Sequence, residues 1–545
     1  MDRRCWFVLA VIYEGVLCIE KHPIVATQQG EVEGSLSSNE DYYEFLGIRY
    51  AVPVKFKAPA APPSFPGVYK ANTRAVVCPQ FSCDDLLAAP SENEDCLVLN
   101  IFTPLNYLRN VSYSVVVFLH GGGFGVGSST PNFYGPRYLV ANDVIVVSVN
   151  YRLNAYGFLN LGIPEAPGNA GLKDIRAALR WIKANIKNFG GNPDNVTVMG
   201  QGAGGAAAVY LMLSESTKGL FRNIVSDSGS IFTPQSFDAD PLESASHLAA
   251  SLGKKTKEPE ELLKIYRDTA TVDMENAIFK QMNPKSVFVP SVEKVFEEEE
   301  PFLIDTPYNI LTAGKDHTSY NAVPAMFGMN MVEGLSSALD YNTITSYVDR
   351  IKHEDYSALD QRSLLVPEDS KEEVREMLRK TYFDDISTEE AVIGGIINMS
   401  TDFWYVGPMA LLSELLGNQS VTIYSYIFDY KGGRNLGSLI TNSSLPATTH
   451  LDDLYYIFEL ERVPLRIDEN DARIISFMSM VITNFAKYGN PTPNSEDGEW
   501  VPYPYTLAIR LSPQYVGPLT PERAYFWREL YYKYGADIKK TNGTT

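Results

Sequence analysis

Basic residues are scarce in this chain. It carries 46 lysine and arginine residues against 66 aspartate and glutamate residues, a formal net charge of −20. Nucleic acids need basic patches to meet their phosphates, so this balance argues against a nucleic-acid partner. The plain interpretation is the acidic surface of a well-solvated exported protein, and a basic partner surface is the alternative.

Long apolar segments are missing beyond the N-terminus. Residues 5–13 form a short apolar run behind the basic Arg3 and Arg4. This arrangement predicts a signal peptide at residues 1–20, ahead of a single domain at residues 21–545. No later run reaches the ~20 apolar residues of a membrane span, and the end of the chain carries neither a retention signal nor a hydrophobic anchor. We therefore expect a secreted, extracellular protein without a membrane span.

Cysteine is rare, with five residues in the chain. Cys5 and Cys18 lie in or beside the predicted leader. The remaining Cys78, Cys83 and Cys96 suffice for one disulfide and one spare thiol.

N-x-S/T sequons suit an exported glycoprotein. We predict glycans at five of them: Asn110, Asn398, Asn418, Asn442 and Asn542. A sixth sequon, at Asn195, abuts a predicted strand, where a glycan is hard to place.

The apolar runs that are present predict buried parallel strands. Residues 115–119 and 144–149 are apolar at nearly every position, which suits strands covered on both faces. A helical repeat then runs from Leu172 to Ile186 and stops at Gly190 and Gly191. This succession predicts an α/β fold with a doubly wound, mostly parallel central sheet. We also predict strands at 23–27, 30–34, 43–46, 223–226, 323–330 and 421–427, helices between 238 and 300, a helix at 474–488, and a solvated acidic face at 297–300.

Residues 196–213 read as a β-branched strand that turns sharply into an apolar helix. The turn, residues 200–204, has the context of the G-x-S-x-G elbow that presents a nucleophilic serine in hydrolases. Position 202 is glycine, which has no atom that attacks a carbonyl. Glycine also adopts positive φ without a Cβ penalty, so the fold loses little by this residue.

Several motifs, in order and spacing, resemble the type-B carboxylesterase and cholinesterase family. The resemblance spans nearly the whole chain after the leader and implies an α/β-hydrolase fold with helical insertions. The motifs that carry it are residues 45–51, 94–100, 120–124, 150–153, 168–174, 188–193 and 484–487.

The resemblance assigns candidate roles to individual residues. Family members hold a serine, a glutamate and a histidine in that chain order, with the histidine as the base and the carboxylate orienting it. Glu333 and His450 match the glutamate and the histidine, and Gly202 matches the serine position. The oxyanion hole, built from backbone N–H groups, falls on Gly122, Gly123 and Ala203.

The resemblance has three further implications. Gln201 stands where a glutamate is usual, which removes a negative charge beside the pocket. Cys78 and Cys96 are expected to form the disulfide, with Cys83 as the competitor. The chemistry of the family calls for neither a metal nor a cofactor.

These residues predict a pseudoenzyme, as in neuroligins and glutactin, that binds a small hydrophobic ester or other lipophilic ligand, or a protein partner. The runner-up is an active carboxylic ester hydrolase, through a relocated nucleophile or water activated by His450. Without a triad member, ~10³- to 10⁴-fold catalysis over water can persist. A third hypothesis is an adhesion protein.

One alternative belongs to another class of protein. Residues 200–205 also fit the dinucleotide pattern G-x-G-x-x-G after a strand and before a helix, with Asp227 further on. Such units usually open their domain, whereas this one follows two core strands and the glycine-rich loop at 120–124. The hydrolase interpretation is therefore favoured.

Overall fold

The computed structural model describes residues 20–80, 93–107, 111–280, 288–313, 320–338, 341–353, 368–440, 447–463, 465–494, 498–518 and 521–534. Within these ranges the main sheet has eleven strands in the order β16-β15-β14-β13-β12-β11-β7-β8-β6-β4-β3. The strands, including those of two small sheets, are β1 Ile24–Thr27, β2 Gly30–Glu33, β3 Ser35–Leu36, β4 Tyr42–Arg49, β5 Tyr69–Lys70, β6 Val98–Pro104, β7 Tyr113–Leu119, β8 Val144–Val149, β9 Asn160–Ile163, β10 Ala166–Pro167, β11 Gly191–Gln201, β12 Asn223–Asp227, β13 Ala325–Asn330, β14 Ile423–Phe428, β15 Thr506–Ile509 and β16 Gln514–Tyr515.

The strands from β8 through β7 and β11 to β15 all run parallel. Antiparallel strands extend the sheet at both edges, β6, β4 and β3 on one side and β16 on the other. The prediction of a mostly parallel α/β sheet is therefore confirmed. Because parallel strands share one C-terminal edge, the loops that follow them meet there.

Helices cover the sheet. They are α1 Arg137–Val140, α2 Asn154–Phe158, α3 Ala170–Asn185, α4 Ala203–Leu213, α5 Pro241–Ser251, α6 Pro259–Asp268, α7 Thr271–Lys280, α8 Pro307–Thr312, α9 Tyr341–Lys352, α10 Lys371–Tyr382, α11 Glu389–Thr401, α12 Gly407–Asn418, α13 Leu436–Ile440, α14 Glu469–Tyr488 and α15 Pro521–Tyr534. The predicted helices at 172–186 and 474–488 correspond to α3 and α14.

Two hydrophobic layers enclose the central strands. On β7, Val115 and Val117 pack into the layer that contains α3 and α4, whereas Val116 and Phe118 pack into the layer that contains α14. Both faces of these strands are buried, which explains why their sequences are apolar at nearly every position.

The acidic run at residues 297–300 differs from its prediction. Glu297 and Glu298 are exposed, as a solvated face requires. Glu299, however, pairs at 2.6 Å with Lys173, whose side chain is fully buried and also contacts Glu293 at 2.9 Å. A buried ammonium group needs compensating carboxylates, so part of this run stabilises the fold. The predicted helices before it correspond, among the described residues, to α5, α6 and α7.

A buried ion pair joins two of the sequence motifs. Arg152, from the motif at 150–153, donates to both carboxylate oxygens of Asp174, from the motif at 168–174, at 2.6 and 2.7 Å. Its guanidinium also donates to the carbonyls of Val54 and Lys57. Arg152 and Asp174 therefore hold these segments of the fold together.

Candidate active site

The turn between β11 and α4 has the geometry of a nucleophile elbow. Gly202 lies there with φ 56° and ψ −121°, a conformation that side chains rarely adopt. Its N–H donates to the carbonyl of Asp227 at 2.8 Å. The turn is also crowded, since a Cβ on Gly200 would collide with the carbonyl of Gly204. Glycines at these positions therefore allow the chain to reverse from strand to helix within one residue.

The volume beside Gly202 opens toward His450. An ideal Cβ on Gly202 would lie 3.8 Å from Nε2 and 3.9 Å from Cε1 of His450, and no other described heavy atom outside the adjoining residues comes within 4 Å. Position 202 thus faces the imidazole across a space large enough for a small side chain.

Glu333 and His450 form a direct pair at the same edge of the sheet. Glu333 follows β13 and His450 follows β14, and these two strands are parallel neighbours. The Nδ1 atom of His450 donates to Oε2 of Glu333 at 2.7 Å. Glu333 is fully buried, and its Oε1 accepts from the backbone N–H of Asn330 at 2.7 Å and from Oγ of Ser228 at 2.5 Å.

This pair sets the charge and the tautomer of the histidine. Burial opposes protonation of the ring, but the carboxylate of Glu333 outweighs that effect, so the pKa of His450 is raised. Because Nδ1 donates to Glu333, the neutral ring presents the lone pair of Nε2 to the pocket. The ring of Tyr405 packs against it at 5.1 Å between centroids, from a π-helical turn at Asp402–Val406.

Gln201 contacts the other nitrogen of the histidine. Its amide Nε2 lies 3.0 Å from Nε2 of His450 and donates to the neutral ring. Its Oε1 lies over the glycine-rich loop, where a Cβ on Gly121 would collide with it. Among the described residues, this amide is the hydrogen-bond partner of Nε2 of His450. No hydroxyl or thiol of the described residues forms a hydrogen bond with that nitrogen.

The predicted oxyanion donors lie on segments that follow neighbouring strands of the sheet. Gly122 and Gly123 follow β7, the strand next to β11, and both are exposed. Ala203 begins α4, where N–H groups lack partners within the helix. In the described part of the chain, no hydrogen bond uses the N–H of Gly123 or Ala203.

A disulfide lies behind the glycine-rich loop. Cys78 and Cys96 are joined, and Gln80, two residues after Cys78, exchanges hydrogen bonds with the backbone of Gly127 at 2.8 and 2.9 Å. The segment after Cys78 thus contacts the backbone that follows the glycine-rich loop. Cys83, the competitor in the sequence prediction, lies outside the described residues.

His120, the first residue of this loop, is buried. Its ring stacks on Tyr151, and burial lowers its pKa to about 4. It is therefore neutral and structural.

Two buried carboxyl groups lie behind the site. Asp227 ends β12 and Asp453 follows His450, and both approach the hydroxyl of Tyr426 at 3.3 Å. Burial and the neighbouring carboxylate raise the pKa of Asp227 well above its ordinary value, and burial raises that of Asp453. Asp227 is fully buried against these groups, so its carboxylate is not placed to bind a ribose, which counts against the dinucleotide hypothesis.

Sequence reasoning missed several of these residues. Ser228, Asn330 and Asp453 were not assigned roles, although each follows a parallel strand or flanks a candidate residue. The shared C-terminal edge of the parallel strands was a signal that pointed to them. Gln201 was noted for its lost charge, but its contact with His450 depends on tertiary packing.

The sequons differ in accessibility. Asn398 and Asn418 are exposed on α11 and α12. Asn195 donates through Nδ2 to Ser114 and to the carbonyl of Lys487, so its attachment atom is occupied. Asn110, Asn442 and Asn542 lie outside the described residues.

Among the described helices, none is both long and apolar enough to cross a membrane.

The strand order, the elbow and the acid–histidine pair together define an α/β-hydrolase fold. Residues 21–527 match the carboxylesterase family, and the chain belongs to that family.

Particular relatives include both esterases and neuroligins. Juvenile hormone esterase of Heliothis virescens is 30% identical over 83% of this chain and 82% of its own length. Neuroligin-2 of Mus musculus is 29% identical over 89% of this chain and 63% of its own length. The crystal structure of juvenile hormone esterase from Manduca sexta, with OTFP covalently attached, superimposes with a TM-score of 0.83 at 26% identity, covering 94% of this chain and 99% of that one.

Proposed function

We propose that this chain is a non-catalytic member of the carboxylesterase family that binds lipophilic, ester-like ligands without turning them over. The observation that carries the proposal is Gly202, which occupies the elbow with open space toward His450. Acyl transfer through the elbow requires a side-chain nucleophile at this position, and glycine supplies none.

The surroundings of His450 weigh against a relocated nucleophile. Among the described residues, Ser228 places its hydroxyl against the carboxylate of the pair, and it donates to Glu333 rather than to the imidazole. Nε2 of His450 meets the amide of Gln201, which is not nucleophilic. Both observations support binding over hydrolysis.

The ligand class rests on the donors and on the relatives. Backbone N–H groups at Gly122, Gly123 and Ala203 suit a carbonyl oxygen, whether or not a nucleophile is present. Similarity to juvenile hormone esterase supports a lipophilic ester-like ligand. We also propose that the protein is exported and glycosylated, with exposed Asn398 and Asn418 as the testable glycan sites; loss of mass on treatment with peptide-N-glycosidase F checks this.

Turnover and binding are tested separately on the purified protein. We expect no burst with p-nitrophenyl esters and no covalent labelling by a fluorophosphonate probe, measured by intact mass. A panel of lipophilic esters should nevertheless raise the melting temperature, because ligands that bind the folded state stabilise it by RT ln(1 + [L]/Kd).

Two results would contradict the proposal. Labelling at a serine whose replacement abolishes ester turnover would identify an active hydrolase. Absence of any thermal shift across the panel would instead direct attention to a protein partner.

A further inference from the structure

The groups around the open volume beside Gly202 are mostly hydrogen-bond donors. Gly123 and Ala203 contribute backbone N–H groups without a hydrogen bond among the described residues, and the amide of Gln201 has two N–H bonds, one of which donates to Nε2 of His450 at 3.0 Å. A serine hydroxyl would have supplied an acceptor here, and glycine does not. The ligand that matches this volume is therefore rich in acceptors.

Building on the proposed function, we infer that the site binds the carboxyl group of a lipophilic carboxylic acid beside Gly202, in preference to the corresponding ester. One carboxyl oxygen would meet the backbone N–H groups of Gly123 and Ala203. The other would displace the amide of Gln201 from Nε2 of His450 and become the partner of that nitrogen.

A carboxyl group fits His450 in either protonation state. If the ring is neutral, Nε2 accepts the O–H of a protonated acid, and if the ring is protonated, Nε2–H donates to a carboxylate. An ester has no proton to give, so it leaves the neutral ring with Gln201 alone. Its alkoxy oxygen is also a poorer acceptor than a carboxylate oxygen and carries a substituent that the space beside Gly202 must hold.

The charges that face the site allow this ligand. Glu333 balances a protonated His450 through the 2.7 Å contact. The carboxyl groups of Asp227 and Asp453 lie behind the pair, and their raised pKa values lower the negative charge on them. The carboxylate of Asp452 is hydrogen-bonded within the fold, where it accepts from the hydroxyl of Ser438 and from the N–H of Thr449.

Matched ligands test the inference. Dodecanoic acid, its methyl ester and dodecanol share one alkyl chain, and their affinities are compared by isothermal titration calorimetry. We expect the acid to bind at least about tenfold more tightly than the ester, because one additional charge-assisted hydrogen bond changes the affinity by about this factor.

Two variants test whether the preference for acid over ester depends on His450 and Gln201. In His450→Gln and Gln201→Met, each verified as folded by circular dichroism, the ratio of acid to ester affinity should fall to within about threefold of one. His353→Gln is the matched control, because His353 is an exposed histidine directly after α9, and this variant should keep the wild-type ratio.

The outcomes separate this inference from the proposed function. Ester binding equal to or tighter than acid binding overturns the inference and leaves ligand binding intact. A preference for acid that survives both site variants places the acid elsewhere and also overturns the inference. Hydrolysis of the methyl ester, followed by chromatography, overturns the proposed function instead.

Discussion

The acid–histidine pair and the elbow differ in how much of a hydrolase site each one retains. On the acid–histidine side, the carboxylate of Glu333 has three hydrogen-bond partners, His450, Ser228 and Asn330, at 2.5 to 2.7 Å. On the elbow side, the backbone turn keeps the geometry that presents a nucleophile, but its residue is glycine.

The difference follows from burial. A fully buried carboxylate is costly without partners, so replacing any one of these residues would destabilise the fold even if no chemistry depended on it. The elbow residue carries no such constraint, because glycine relieves a strained conformation. An intact acid–histidine pair is therefore no evidence of catalysis, and the elbow is the better indicator.

The largest expected effect comes from restoring a hydroxyl at the elbow. Gly202→Ser should change fluorophosphonate labelling from none to as much as one adduct per chain, because the new Cβ lies 3.8 Å from Nε2 of His450. Intact-mass analysis measures the adduct, and Gly202→Ala is the control that should stay unlabelled. A folded serine variant that resists labelling would show that the two sides no longer work together.

Removing the buried acid tests the stability of the other side. Glu333→Ala should lower the free energy of unfolding by about 3–5 kcal/mol, because His450 and the buried donors of Ser228 and Asn330 lose their partner. Urea denaturation measures the change. Glu297→Ala, at an exposed glutamate, should stay within about 0.5 kcal/mol of wild type. Equal effects at the two positions would refute the argument from burial.

The disulfide links stability to the glycine-rich loop. Replacing both Cys78 and Cys96 by serine should cost about 3 kcal/mol, because the cross-link closes a loop with a sequence separation of 18. Hydrogen exchange at Gly127 should also rise, since Gln80 holds that residue. Peptide mapping under non-reducing conditions that finds Cys83 joined to either cysteine would contradict the pairing.

The buried carboxyl groups predict a pH dependence. A raised pKa in the folded state means that Asp227 keeps its proton to higher pH than in the unfolded chain, so its contribution to stability falls as pH rises above about 4. The slope is at most about 1.4 kcal/mol per pH unit for each proton. Asp227→Asn should flatten the curve of unfolding free energy against pH, whereas Asp273→Asn, at an exposed site, should not. An unchanged slope in Asp227→Asn would show that this carboxyl is ionised in the folded protein.

The smallest effect concerns backbone strain. Gly202→Ala should destabilise the protein by about 1–2 kcal/mol, because φ is positive there although the space is open. Gly394→Ala, within helix α11 and also in open space but without positive φ, should instead gain up to about 1 kcal/mol. Thermal unfolding compares the two, and a gain at both positions would show that the elbow is not strained.

Much of this architecture was predictable because its signals are local. Apolar runs indicated β7 and β8, helical periodicity indicated α3 and α14, and the glycine spacing around position 202 indicated the elbow. The antiparallel pairing of β4 with β6 and the pairing of Lys173 with Glu299 were not predictable, since both depend on segments far apart in the chain.

By itself, the sequence determined the family, the mostly parallel sheet and the identity of the residue at position 202, because these depend on local pattern and motif order. Only the tertiary structure decided that the amide of Gln201 lies 3.0 Å from His450, that Ser228 donates to Glu333, and that Asp227 faces Asp453. Those contacts join residues separated by more than a hundred positions, and they form because the parallel strands bring their C-terminal ends to one edge of the sheet.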